Sequence, residues 1–259
     1  MKLEVIVSTM NKKSIDFYKD INIKTDAIII NQNGKNEYEE KIIDDYKIRM
    51  FSTDTKGVGK SRNLGILNAN ADILLICDDD EVLDDDYDKK ILNAFEKNPD
   101  VDFFVFKTRI YQGGKTIEKV KEEKYLSLYN CLRYGAVHYA FRRDRILKKN
   151  IFFTTYFGAG TEIGSGEDSI FITDAIKKGL KVKTNKSLIA EVYNDDSTWF
   201  KGYDEKFFYD KGKLWKALFP KTTRLFIEQF ILRHPEFFDQ IDKKKARKLL
   251  VKGAKDFVK

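Results

Sequence analysis

A strand-like run that ends in a row of carboxylates is the feature that most constrains this sequence. Residues 73–77 are uncharged and typical of a strand buried on both faces, and the carboxylates of residues 78–81 follow directly. Adjacent carboxylates repel one another, so a bound cation is one explanation for the cluster, and oxygen ligands suit Mg²⁺ or Mn²⁺. A solvated acidic loop is the other explanation. We expect that second role for residues 84–86, at the start of a helix.

Apolar runs and helix-like segments alternate along the first hundred residues. The predicted strands lie at residues 3–8, 27–30, 48–52, 73–77 and 101–106, and the predicted helices lie at residues 13–20, 37–44, 57–69 and 87–97. This alternation predicts a mostly parallel sheet with helices on its faces. In such sheets, ligands bind outside the carboxyl ends of the strands, where the acidic cluster falls. In the helix at 57–69 we expect Leu64 and Leu67 to face inward.

The second half of the chain predicts further elements and a basic tail. A Gly-rich loop at 157–166 precedes a predicted helix at 169–178, and residues 180–192 return to strand character. After Pro220 the pattern is helical and basic. We therefore predict one domain at 1–219, with a donor-binding part at about 1–110 and an acceptor side at about 111–219. Amphipathic basic helices at 220–259 would follow it.

Composition excludes several classes of protein. The chain has 259 residues, of which 42% are hydrophobic and 14% aromatic, so a disordered chain is excluded. The net charge of +7 favours contact with phosphate groups. No apolar run approaches the roughly 20 residues that a membrane-spanning helix needs, and the chain opens in a strand-like stretch without a secretory segment. We expect a cytoplasmic protein.

Two Gly-containing segments carry candidate functional residues. Residues 57–63 superficially resemble a phosphate-binding P-loop, but Asp54 stands where the first glycine should be, so an ATPase is excluded. The segment can still begin a helix with Lys60 and Arg62 near a phosphate, or it is a plain surface turn. Residues 164–168 deliver Glu167 and Asp168 to the start of a helix. One carboxylate could act as a general base, and helix capping is the alternative.

Taken together, these residues resemble the family 2 glycosyltransferases with a GT-A fold. The pattern comprises residues 5–11, the second strand ending at Asn31, residues 59–66, the aspartate cluster, and residues 166–171 and 177–182. These motifs occur in the family's order over about residues 3–195. The resemblance implies an α/β fold of GT-A type, with a Rossmann-like, mostly parallel central sheet flanked by helices and a C-terminal helical appendage.

The resemblance also implies roles for particular residues. A nucleotide-sugar donor would bind at the carboxyl edge of the sheet, in contact with Thr9, Asn31, Arg62, Asp78 and Asp79. Asp80 and Asp78 would hold Mn²⁺ or Mg²⁺. Asp168 would deprotonate the acceptor hydroxyl and Glu167 would orient that base or the acceptor. Direct displacement at the anomeric carbon would then invert its configuration.

The sequence departs from the family pattern at three places. Asn31 stands where an aspartate is frequent, and its amide can both donate to and accept from a uracil edge. The Gln-x-x-Arg-Trp signature of processive relatives is absent, which favours addition of a single sugar. A metal-binding histidine of some GT-A enzymes has no equivalent, and Asn194, Asp195 and Asp196 occupy its neighbourhood.

The sequence therefore predicts a metal-dependent inverting glycosyltransferase. It would move one sugar from a nucleotide diphosphate sugar, with UDP favoured, to a glycan or lipid-linked acceptor in bacterial surface polysaccharide synthesis. A sugar nucleotidyltransferase using Mg²⁺ and a nucleoside triphosphate is one alternative. A nucleic-acid-binding protein is another, although the acidic cluster opposes a polyanion. The basic C-terminal helices could rest against the inner face of an anionic membrane, or pack on the core with their charges in water.

Overall fold

The computed structural model describes residues 1–193, 202–238 and 241–257. The chain divides into two compact units, Met1–Asp196 and Ser197–Lys259. The boundary predicted at 219/220 falls inside the second unit, between the helices Glu205–Leu218 and Thr223–Arg233. The reason is that Glu205–Leu218 packs against the last helix of the chain, Lys243–Asp256, and so shares its core.

The first unit is built on one mixed sheet. Its strands are β1 (Leu3–Met10), β2 (Asp26–Gln32), β3 (Glu37–Ile43), β4 (Tyr46–Thr53), β5 (Ile73–Asp78), β6 (Glu81–Leu83), β7 (Phe103–Gln112), β8 (Lys115–Ile117), β9 (Tyr139–Arg142) and β10 (Val182–Tyr193). Their spatial order is β3-β4-β2-β1-β5-β9-β7-β10-β6, with β8 beside β7. This arrangement confirms the predicted α/β class.

Strand directions bring six strand ends to one edge of this sheet. The pairs β1–β2, β1–β5, β2–β4 and β7–β10 are parallel. Strand β9 runs antiparallel to both β5 and β7, so β7 and β10 point the same way as β5. The carboxyl ends of β1, β2, β4, β5, β7 and β10 therefore share an edge, which we call the carboxyl edge.

Helices cover the sheet on both faces. They are α1 (Val58–Asn68), α2 (Tyr87–Lys97), α3 (Arg143–Lys148) and α4 (Glu167–Lys177), with short 3₁₀ helices at Ile15–Lys19, Cys131–Arg133 and Ala136–His138. Alternate residues of β1 enter two separate cores: Val5 and Val7 pack with Ile91 of α2, whereas Ile6 packs with Ile66 of α1. This period-two burial fixes the register of the central strands.

Two predictions of local structure are wrong. Residues 37–44 were expected to form a helix, but Glu37–Ile43 is the strand β3, paired antiparallel with β4. Asp44 adopts a positive φ of 48° in the tight turn, which lets the chain fold back and satisfy the backbone of β4. In α1, Leu67 is exposed, and Gly65 and Ile66 face the sheet instead.

The second unit is helical. It contains α5 (Glu205–Leu218), α6 (Thr223–Arg233), a 3₁₀ turn at Pro235–Phe238 and α7 (Lys243–Asp256), around a core that includes Phe208, Ile227, Phe230 and Leu250. Glycines let α5 and α7 approach closely: a Cβ on Gly253 would lie 1.9 Å from the carbonyl oxygen of Tyr209. Across the described residues of both units, no helix combines the length and apolar character that a membrane crossing requires.

Candidate active site

The acidic cluster lies at the carboxyl edge, where β5 ends. Asp78 is the last residue of β5, and its backbone N–H donates to Glu81 Oε1 at 2.8 Å. Glu81 is buried, and its burial, together with the charge of Asp78, raises the pKa of its carboxyl group well above the usual value. Glu81 thus holds the turn after β5 through the backbone of Asp78, and it is buried, whereas Asp79 and Asp80 are exposed.

Asp79 is held by the end of the neighbouring strand β1. The Thr9 hydroxyl donates to Asp79 Oδ2 at 2.6 Å, and Lys12 Nζ lies 3.3 Å from the same oxygen. Thr9, which the sequence assigned to the nucleotide sugar, thus contacts another member of the predicted site. Its hydroxyl orients the carboxylate of Asp79 at the carboxyl edge.

Asn31 lies beneath the loop that follows β1. Its side chain has no exposed surface; Oδ1 accepts from the backbone N–H of Lys12 at 3.0 Å, and Nδ2 donates to the Lys12 carbonyl at 2.8 Å. Both polar atoms of the amide are thus engaged with the backbone of one residue. The amide shapes this loop, and a direct contact with a uracil edge would require these bonds to open.

Arg62 joins parts of the sequence that lie far apart. Its side chain, projecting from α1, is only 3% exposed. Nη2 lies 2.9 Å from each carboxylate oxygen of Asp78, and Nη1 lies 3.0 Å from Glu167 Oε1. Burial alone would lower the pKa of the guanidinium, but the charges of Asp78 and Glu167 outweigh burial and raise it. The sequence assigns Arg62 to the nucleotide sugar, and in the structure its guanidinium lies between two carboxylates at the carboxyl edge.

The second acidic pair begins helix α4. Gly166 precedes it with φ of 116°, a conformation that favours glycine, and Glu167 and Asp168 form the first turn. Glu167 is 12% exposed; burial, followed by the charge of Asp168, raises the pKa of its carboxyl group to about 7 against the opposing charge of Arg62. Asp168 Oδ1 accepts from the backbone N–H of Ser169 at 2.6 Å, a bond that fixes the carboxylate at the helix start.

The predicted site residues therefore converge. Arg62 contacts Asp78, 16 positions away, and Glu167, 105 positions away, so the ends of β5 and α4 meet at one guanidinium. Asp80 and Asp168 are close neighbours of these two carboxylates along the chain. Thr9 belongs to the same edge through Asp79, whereas Asn31 lies one layer deeper.

The donor set of this edge fits a divalent cation that arrives with a diphosphate. Asp80 retains an exposed surface, and desolvation by the surrounding protein, together with the charge of Asp78, raises the pKa of its carboxyl group to about 6. Among the residues that the structure describes, no ion pair engages Asp80, because Arg62 pairs with Asp78 and Glu167. Within residues 1–193, 202–238 and 241–257, no cluster of three or more His, Cys, Asp or Glu side chains could hold a metal ion. Mg²⁺ commonly uses one or two carboxylates and completes its shell with phosphate and water.

Some parts of the site were not predicted from the sequence, and others lie outside the described residues. Lys12 was not predicted as a site residue. Its neighbour Asn11 is of a residue type that tolerates a positive φ, and its φ of 56° allows the sharp turn after β1. The link between Arg62 and Glu167 also carries no pattern in the sequence. The candidate third ligands Asn194, Asp195 and Asp196 fall outside the described residues.

The mixed α/β sheet flanked by helices, with carboxylates gathered at its carboxyl edge, is of GT-A type. Residues 5–164 match the family model described as "Glycosyl transferase family 2". This match covers more than half of the 259 residues, and the chain belongs to glycosyltransferase family 2. The chain is thus a family 2 glycosyltransferase. Comparison with curated proteins finds no match.

Solved structures of TarS from S. aureus share the fold. TarS 1–349 in complex with UDP-GlcNAc superposes with a TM-score of 0.62 at 15% identity, and the alignment covers 98% of this chain and 72% of that one. TarS 1–349 described without a ligand gives 0.60 at 14% identity, with 98% and 71% covered. A longer TarS structure gives the same score and identity, and this chain covers 43% of it. At these identities the likeness shows the fold.

Proposed function

We propose that this glycosyltransferase is metal-dependent and inverting, and that it moves one sugar from a UDP-linked donor to a hydroxyl group of a glycan or lipid-linked acceptor. We assign the reaction to bacterial surface polysaccharide synthesis. Family membership supports sugar transfer, and the TarS structures in complex with UDP-GlcNAc and with UDP support a uridine nucleotide donor. The absence of the Gln-x-x-Arg-Trp signature supports one addition per encounter.

The ion-pair bridge through Arg62 carries this proposal. Its guanidinium binds Asp78 on the donor side and Glu167 on the side of the predicted base. Inverting transfer needs a leaving diphosphate and a base on opposite sides of one anomeric carbon. Because Arg62 fixes both carboxylates, the distance between the two sides is set before any substrate binds.

The residues divide the reaction between them. Asp80 and Asp78 would hold the divalent ion, which when bound supplies positive charge to the departing diphosphate. Asp168 accepts the proton of the acceptor hydroxyl. The oxygen of that hydroxyl bonds to the anomeric carbon as the bond between this carbon and the diphosphate breaks. Glu167, held by Arg62, orients the acceptor or the base. The products are an inverted glycoside and UDP.

A panel of nucleotide sugars tests the donor assignment without an acceptor. The full chain is mixed with UDP-, GDP- and dTDP-linked sugars, with Mn²⁺, Mg²⁺ or EDTA, and monitored by thermal shift and by slow donor hydrolysis. We expect stabilisation and UDP release with UDP-sugars, and loss of both in EDTA. A donor that binds equally well in EDTA would contradict metal dependence. Release of pyrophosphate from a nucleoside triphosphate and a sugar phosphate would indicate a nucleotidyltransferase instead.

We propose that helix α7 supplies contact with an anionic membrane at its inner face. The apolar face of α7, which includes Ala246 and Leu250, is buried in the core of the second unit, whereas Lys244, Lys248 and Lys255 are exposed. Insertion into lipid is therefore not available to the apolar face, and the contact would be electrostatic. Each lysine near an anionic surface contributes about 1 kcal/mol.

Liposome co-sedimentation distinguishes this contact from a helix whose charges simply face water. The full chain is compared with the triple variant Lys244→Glu, Lys248→Glu and Lys255→Glu on phosphatidylglycerol vesicles and on phosphatidylcholine vesicles. We expect binding of the wild type to phosphatidylglycerol alone, and its loss in the variant and at high salt. Equal sedimentation of the two proteins would remove the membrane role of α7.

A further inference from the structure

Two stacked tyrosines, one exposed and one half-buried, lie beside Asp80, the proposed metal ligand. Tyr193, the last residue of β10, donates its backbone N–H to the carbonyl oxygen of Asp80 at 3.0 Å. Its partner across the parallel β7–β10 ladder is Tyr111. Both residues lie at the carboxyl edge, and β9 alone stands between β5 and β7, the strand of Tyr111, in the spatial order of the sheet. We call Tyr111 and Tyr193 the tyrosine platform.

The two rings are stacked, and the pair is partly open to solvent. Their centroids lie 5.2 Å apart with an interplanar angle of 19°. Tyr193 is 52% exposed, and Tyr111 is half-buried. A cross-strand aromatic pair stabilises a sheet by itself, but that role requires no exposed ring face. The exposed face of the platform is an apolar surface at the substrate end of the sheet.

One carboxylate fixes the orientation of both rings. The Tyr111 hydroxyl donates to Glu191 Oε1 at 3.1 Å, and the Tyr193 hydroxyl donates to Glu191 Oε2 at 3.0 Å. Arg109 in turn donates to Glu191 at 3.0 Å and to Glu118 at 3.1 Å. The rings are thereby held in one arrangement before a ligand binds, which lowers the entropy lost on binding.

The chemistry of this surface matches a neutral pyranose ring. A pyranose has a face of C–H groups that can cover an aromatic ring, and hydroxyl groups around its rim. Arg109 and Glu118, whose side chains are 36% and 32% exposed, offer a donor and an acceptor next to the rings. A few polar groups around an apolar contact are typical of sites that orient small ligands.

We infer that the tyrosine platform binds a pyranose of the acceptor by stacking, adjacent to the donor site. The inference rests on the proposed function. The donor contacts predicted from the sequence lie on β1, β2, α1 and β5, so a ring on β7 and β10 lies on the other side of Asp80 from them. Asp80 would thus stand between the donor diphosphate and the bound acceptor.

Ligand-observed NMR on the full chain tests the platform without a known acceptor. The probes are the methyl glycosides of glucose, galactose and N-acetylglucosamine, each added with UDP and Mn²⁺, and saturation transfer is read at the ring C–H protons. The double variant Tyr111→Ala/Tyr193→Ala is compared with wild type and with Tyr38→Ala. Tyr38 is a matched control because it is 50% exposed and lies on β3, at the outer edge of the sheet.

We expect saturation of at least one probe in wild type and in Tyr38→Ala, and a reduction of about five-fold or more in the double variant. The variant Tyr111→Phe/Tyr193→Phe should keep most of the effect, because it retains both rings. No saturation in wild type, or equal saturation in the alanine double variant, would overturn the inference. Donor hydrolysis should be unchanged in Tyr38→Ala. A wild-type protein that releases UDP from none of the nucleotide sugars would contradict the proposed function instead.

Discussion

Arg62 is the residue on which the geometry of the site depends. Its buried guanidinium forms ion pairs with both Asp78 and Glu167. Replacing Arg62 by Met leaves two carboxylates crowded without a counter-charge, so we expect a loss of about 3–5 kcal/mol in the free energy of unfolding. Hydrogen exchange of the β1 and β5 backbone in urea measures this change. Arg145→Met is the control, since the Arg145 side chain is 49% exposed and its pairs are superficial, and a similar loss there would contradict the prediction.

Asp80 and Asp168 should fail in different ways. Asp80→Asn is expected to abolish the metal dependence of donor binding, because a carboxylate oxygen that would hold the ion is lost. Asp168→Asn should leave donor affinity unchanged and lower the single-turnover transfer rate by about 10²–10⁴-fold, as for loss of a general base. Titration calorimetry and rapid quench measure the two quantities. Asp45→Asn, an exposed change at the amino end of β4, is the control. Normal transfer by Asp168→Asn would remove its role as base.

Glu167 makes stability depend on pH. In the folded protein its pKa is raised to about 7, whereas the ordinary value is 4.5, so between these values the folded state holds a proton that the unfolded state has released. The free energy of unfolding contributed by Glu167 is therefore largest at low pH and falls as the pH rises through that window. Glu167→Gln should flatten the curve, as measured by urea unfolding from pH 5 to pH 7.5. An unchanged slope in this variant would contradict the raised pKa.

The sequence could identify most charged members of the site but not their partners. The run of aspartates marks the end of an apolar strand, and the Glu-Asp pair after Gly166 marks the start of a helix. Neither pattern predicts that Arg62 is buried or that the Asn31 amide is hydrogen-bonded to the backbone of Lys12. Both features depend on contacts between segments distant in sequence. An amide or guanidinium can face a ligand or the protein, and only tertiary packing decides which.

At the level of elements, the local sequence pattern correctly predicted elements that pack in the core. The predicted helix at 87–97 coincides with α2, and the predicted strand at 73–77 is extended only by Asp78 in β5. The prediction failed for β3, because none of its residues is buried and its sequence shows no alternation of apolar and polar residues. Pairing with β4 overrides its helical propensity, since backbone hydrogen bonds at a sheet edge need no apolar side chains.

Helix α5 shows a second limit of local pattern. Residues 205–218 are rich in aromatics and lysines and were not predicted as a helix, yet Gly212 inside α5 and Gly253 inside α7 face the neighbouring backbone. A glycine within a helix normally weakens it by about 1 kcal/mol. Here each glycine allows two helices to touch, which no single-helix pattern reveals.

For the whole molecule, the two units should respond separately to damage. A methyl group on Gly253 would overlap the Tyr209 carbonyl, which cannot move unless the helices separate, so Gly253→Ala should destabilise the second unit by about 3 kcal/mol or more. Hydrogen exchange should accelerate in α5 and α7 and remain unchanged in β5. Gly164→Ala, where a Cβ meets nothing within 4 Å, is the control. Equal acceleration in β5 would contradict separate cores.

Strand β3 closes one side of the sheet with a surface that resists further growth. Four of its seven residues are charged, and Tyr38 and Ile42 are its exposed large hydrophobic residues. A second molecule that added its own β3 there would bring glutamates together in the new ladder, an arrangement that opposes fibril formation. Mutations that remove the charges of β3 should therefore favour aggregation, although β3 is the outermost strand and contributes none of the proposed site residues.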